Sequence, residues 1–191
     1  MSYSSRFPRP VCLLSLALSL ALLSCEKEPV DRLPAATQKG KNTAGFLVDG
    51  EAWLPKPSTL NPGNNPVNGY WAQTTKGPIL GLSFSDKSLD TPSGLSITLR
   101  GVLGPGTYPL NQEPHINLGE GRSAYGSYYR LEPAPAVRYY TGPTATGTVT
   151  LTRLDLVKHI ASGTFEFTPL EDGGTRTVQI TKGRFDVRLR E

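Results

Sequence analysis

Apolar and polar residues alternate one for one along much of this chain. A period of two is the mark of extended strands with one buried and one wetted face. Phe185, Val187 and Leu189 point one way while Arg184, Asp186, Arg188 and Arg190 point the other. The same pattern runs through Phe165 and Phe167 against Thr164, Glu166 and Thr168, and through Leu95, Ile97 and Leu99 against Ser96, Thr98 and Arg100. Leu80, Leu82 and Phe84 share a face, and Val149 and Leu151 alternate with threonines. Phe46 and Val48 lead into Asp49-Gly50, a strong two-residue hairpin signal, with Trp53 beyond it. Glu171-Asp172-Gly173-Gly174 marks a second turn, before Val178 and Ile180.

No segment after residue 24 repeats apolar residues at helical spacing over three turns. The expectation is therefore an all-β domain of about nine or ten strands, an antiparallel two-sheet sandwich, with a closed or partly closed β-barrel as the alternative. Pro55 to Asn68, rich in proline and asparagine, reads as a long loop, and 17 prolines with 20 glycines suit a turn-rich β protein.

The first 24 residues follow other rules. Arg6 and Arg9 precede the apolar run Val11–Leu23, and no acidic residue comes before Glu26. Thirteen residues fall short of the roughly 20 that span a bilayer, but match the core of a secretory signal peptide. Leu22-Leu23-Ser24-Cys25 resembles the lipobox of bacterial lipoproteins, which implies cleavage after Ser24 and diacylglyceryl attachment at Cys25. Leu23 is bulkier than the small residue often found at its position. Multiple acyl chains anchor a protein far more firmly than one. The expected organisation is a signal peptide over 1–24, a lipidated start and flexible tether over 25–42, and one β-domain over 43–191. Its expected place is the cell envelope, on the outer membrane, with the membrane as partner through Cys25. Eighteen tether residues at about 3 Å each would reach roughly 50 Å.

Cleavage would also remove Cys12 and leave Cys25 alone, so the domain would hold no internal disulfide and no cysteine metal site. The formal charge would fall from +4 to +2. With no run of lysines or arginines, the electrostatic footprint of a nucleic-acid binder is missing, and no nucleic-acid partner is expected.

Catalytic motifs are equally scarce. The sequence has no Gly-x-Ser-x-Gly elbow, phosphate-cradling loop or dinucleotide fingerprint, so no cofactor is expected. Asp155 and His159 stand four apart, but on strand and turn rather than on one helical face. Glu113, His115 and Glu120 are of metal-ligating type, yet Pro114 and Gly119-Glu120-Gly121 favour a plain loop.

Adjacent aromatics are the stronger signal. In each of Tyr70-Trp71, Tyr128-Tyr129 and Tyr139-Tyr140 a strand would turn one ring away from the core. Outward tyrosine or tryptophan rings suit the binding of a glycan, a peptide or an envelope protein, although they also cover cross-strand neighbours. The charged row at 184, 186, 188 and 190 reads as protection of an exposed terminal edge.

Several stretches resemble an uncharacterised lipoprotein family of the Bacteroidota. They are Lys41 to Gly50 with Trp53 and Pro55, Gly106 to Leu110, Ser162 to Phe167, and Ile180 to Asp186. Glu26, Lys27 and Glu28 loosely resemble the export signals of surface lipoproteins in that group. Members of the family often carry a cysteine where this chain has Phe46, so any role of that thiol is absent here. The resemblance implies a lipoprotein with a β-domain and implies no activity. The function expected is a non-enzymatic envelope lipoprotein that binds a partner protein or an extracellular ligand such as a glycan. A structural spacer and an envelope hydrolase are the alternatives.

Overall fold

A computed structural model of the chain describes residues 28–114 and 123–190. The signal segment and Cys25 lie outside them, as do His115 and Glu120. The domain is all-β, and among the described residues its only helical segment is a short 3-10 turn, Pro29–Arg32. No described helix is long and apolar enough to cross a membrane.

Among the described residues twelve strands follow in order: β1 (Thr43–Val48), β2 (Glu51–Trp53), β3 (Val67–Thr74), β4 (Gly77–Asp86), β5 (Ser93–Arg100), β6 (Gly106–Pro109), β7 (Tyr125–Arg130), β8 (Val137–Tyr140), β9 (Gly147–Asp155), β10 (Ile160–Phe167), β11 (Leu170–Glu171) and β12 (Ile180–Arg190). The alternating segments all become strands, and the apolar residues named for them are buried, Val48 only partly. Asp49 and Gly50 both take positive φ (50° and 90°), the backbone of a type I′ turn between β1 and β2.

The expected pair of separate antiparallel sheets is corrected. Ten strands run in one continuous path, β11-β8-β7-β5-β4-β3-β12-β10-β9-β6, with β1 and β2 branching from β12. The path curls into a half-barrel. One pairing is parallel: Leu189 and Arg190 of β12 lie beside Gly69 and Tyr70 of β3. The body of β12 pairs with β1 on one side and β10 on the other, so this strand joins the two arms of the curl. Alternation assigns each side chain a face but leaves the neighbouring strand unspecified, and sheet closure turns on that choice.

β12 is consequently a central strand, and the reading of its charged row as edge protection is also corrected. Asp186 is only 1% exposed. The free edges fall instead on the four-residue β6, which ends in Pro109, the two-residue β11 and the three-residue β2, which pairs only with β1. Short edges of this kind limit pairing with other chains.

Inside the curl, Phe84 from one arm meets Phe165 and Phe185 from the other at ring-centroid distances of 6.0 and 6.3 Å. Phe46 stacks on Trp53 at 4.4 Å, and the Trp53 indole N–H donates to Ser93 Oγ at 2.9 Å, tying β2 to β5 across the core.

The flexible tether expected over 25–42 is corrected for its described part. Leu33 is buried, and residues 37–41 wrap over β12 to form a strap. The Asp186 carboxylate accepts from Thr37 Oγ1 (2.5 Å) and from the backbone N–H groups of Lys39 (3.0 Å), Gly40 (2.7 Å) and Lys41 (3.3 Å). It also accepts from Ser162 Oγ at 2.8 Å. Arg153 donates to the carbonyl of Gln38, and Arg184 to that of Pro34. The composition of the segment is that of a linker, and only the distant carboxylate at 186 gives its backbone donors a partner.

Candidate functional site

Strands β3, β4, β5, β7 and β8 turn their odd or even residues outward in register, and three of the resulting cross-strand rows lie next to one another beside a further row Ala72, Ile79, Arg100. The first runs Tyr70, Gly81, Thr98, Tyr125. The second runs Asn68, Ser83, Ser96, Ser127, Tyr140. The third runs Ser85, Gly94, Tyr129, Arg138. Small polar residues and glycine therefore floor the middle of this face, while tyrosines stand at both sides. Tyr70 and Tyr125 are three strand spacings apart, about 14 Å.

Each adjacent aromatic pair divides between the two faces. Trp71 packs on the core and donates its indole N–H to the Val102 carbonyl at 3.1 Å, whereas Tyr70 is 49% exposed. Tyr128 and Tyr139 are buried together, with ring centroids 6.2 Å apart, and their neighbours Tyr129 and Tyr140 turn outward. Burial raises the pKa of the Tyr128 phenol, although Ser93 and Arg130 pull the other way. Trp71, Tyr128 and Tyr139 are thus mainly core residues, while Tyr70 is exposed and Tyr129 and Tyr140 are half-buried on the outward face.

Two outward rings also cover glycines. A Cβ at Gly81 would come within 2.3 Å of the Tyr70 ring, and one at Gly94 within 2.7 Å of the Tyr129 ring. Both glycines are the register partners of those tyrosines. An aromatic ring laid over a cross-strand glycine shields exposed backbone and braces the sheet. The outcome is a flat, rigid ring at a set height above the floor.

Two concavities lie on the face. One of about 310 Å³ lies between Tyr70 and Tyr125, floored by Gly81, Ser83, Ser96 and Thr98 with Arg190 at its end. The other, about 390 Å³, lies among Tyr129, Leu131, Arg138 and Tyr140. A larger hollow of about 490 Å³ opens on the opposite arm among Thr148, Thr150, Thr164, Glu166, Lys182 and Arg184, without an outward aromatic ring.

Tyr125, Arg138 and the serine row escaped sequence reasoning. Tyr125 has no aromatic neighbour to flag it, and Ser83, Ser96 and Ser127 come together only through register. Arg190, read from sequence as an edge charge, closes one end of the face and donates to Asn68 Oδ1.

Asp155 pairs with Arg153 at 2.6 Å and accepts from the Lys158 N–H at 2.8 Å in the β9–β10 turn. Glu113 is the single described member of the trio with His115 and Glu120. Among the described residues no group of three His, Cys, Asp or Glu gathers in metal-binding geometry.

No family model, curated protein or solved structure matches the chain.

Proposed function

We propose that this chain is a lipid-anchored envelope protein whose β-domain binds an extracellular glycan, without catalysis, on the outward face of β3, β4, β5, β7 and β8. One observation carries the reading: flat tyrosine rings flank a floor of serine, threonine and glycine in a continuous register. The C–H face of a sugar ring is apolar and stacks on an aromatic face, while its hydroxyls exchange hydrogen bonds with serine, threonine and asparagine. Tyrosine provides this contact at low entropic cost, because its ring has few torsions to freeze. The anchor at Cys25 rests on the lipobox resemblance and on the signal-peptide pattern before it.

A structural or spacer role is the second reading. The rings over Gly81 and Gly94 favour it, since covering backbone is sufficient reason for Tyr70 and Tyr129. Tyr125 and Tyr140 cover no glycine at such distances. The two readings therefore diverge on those residues.

Glycan-array binding by the mature chain, beside a Tyr125→Ala, Tyr140→Ala double variant, tests the proposal. Binding by the wild type and loss in a variant of unchanged melting temperature supports a ligand face. A blank array sinks it in favour of the spacer. Mass spectrometry of the membrane fraction, with Cys25→Ala as control, tests the anchor separately. An acylated peptide beginning at Cys25 is expected, and an unmodified soluble product would remove the lipoprotein reading.

A further inference from the structure

We infer that the glycan suited to this face is acidic, an oligosaccharide carrying carboxylate or sulfate groups. The inference rests on the ligand-binding reading above and narrows its chemistry.

Charge is distributed unevenly over the face. Its outward strand positions from β3 to β8 carry no aspartate or glutamate. Arginines mark its limits instead. Arg190 lies beside Tyr70 in the parallel pairing, Arg138 opposite Tyr129, and Arg100 two residues beyond Thr98 on β5. The nearest acid in register is Asp172, in the turn after β11. Its backbone N–H donates to the Arg138 carbonyl at 2.8 Å, and no salt bridge joins the two side chains.

Three ion pairs lie elsewhere in the domain among the described residues. Arg153 meets Asp155, Arg176 meets Glu171, and Lys56 meets Asp86. Among the described residues, none of Arg100, Arg138 and Arg190 has a carboxylate partner. A guanidinium accepts a planar carboxylate or a sulfate through paired N–H donors. Guanidiniums spread around a floor of hydroxyls suit a chain bearing repeated anionic groups among hydroxyls, which is the pattern of an acidic polysaccharide. The flat tyrosines between them match sugar rings better than an acidic peptide, whose backbone would need an open strand edge to pair with.

Titration calorimetry of the mature chain with four probes tests this: an oligogalacturonide, a chondroitin sulfate oligosaccharide, a neutral cello-oligosaccharide and poly-glutamate. At least one acidic oligosaccharide should bind at least tenfold more tightly than the neutral one, and more weakly as salt rises. Arg138→Gln and Arg100→Gln should each lower that affinity about tenfold, the scale of one lost charge-assisted hydrogen bond, at unchanged melting temperature. Equal binding of neutral and acidic sugars would overturn the acidic assignment while leaving the glycan face intact. Poly-glutamate binding as tightly as the uronate would overturn it in favour of an acidic protein. Silence from every oligosaccharide would sink the glycan reading as well.

Discussion

Asp186 shows how far one residue can depart from the pattern around it. Its strand position is outward, with Arg184 and Arg188 on either side, yet it is covered by the strap and takes five hydrogen bonds. Burial alone would raise its pKa. The donors from Thr37, Lys39, Gly40 and Ser162 outweigh burial and hold the carboxyl at about 2, below its ordinary 3.8. Because the folded value is depressed, the contribution to stability is complete above about pH 4 and is lost as pH falls toward 2. A shift of this size corresponds to about 2 kcal/mol. Asp186→Asn should cost a similar amount or more, since its amide N–H₂ must face donors whichever way it turns. Denaturant unfolding at pH 7 measures the loss. Amide exchange at Lys39 and Gly40 should rise with it, and protection as strong as in the wild type would show that other contacts hold the strap.

At the scale of elements, β12 joins the molecule. It is paired along both sides and inserts Phe185, Val187 and Leu189 into the core. Burying each such side chain stabilises by about 1.5–3 kcal/mol, so the three together approach the net stability of an ordinary domain. A chain ending at Arg184 should show no cooperative thermal transition by near-ultraviolet circular dichroism. A transition retained within a few degrees of the full chain would mean that either arm folds without its junction. The expectation of an edge strand here had a physical source. Charged residues alternating at a chain terminus look the same whether the backbone beside them faces water or two neighbouring strands.

For the whole molecule, the strap changes the distance that an anchor at Cys25 would allow. The sequence pattern alone predicts about 50 Å of free chain. The turn at Pro29, ahead of the strap, already lies against β1 and β2, so Cys25 and the packed chain are separated by at most about 14 Å of extended backbone. A lipidated chain should therefore sit against the bilayer. Neutron reflectometry on supported membranes should find the protein layer starting within about 15 Å of the headgroups. A water gap near 50 Å would show that the strap is released at the membrane.

The sequence by itself determined the all-β class, the faces of the clearly alternating strands, the Asp49-Gly50 turn and the division of each aromatic pair between core and surface. Those properties are local, set by the pleat, the turn backbone and the separation of apolar from polar side chains. Tertiary structure alone decided that β12 is central, that the presumed tether is a strap, and that Tyr125, Arg138 and the serine row meet Tyr70 on one face. Backbone hydrogen bonds pair any strand with any other, so register between distant segments depends on how the whole core closes.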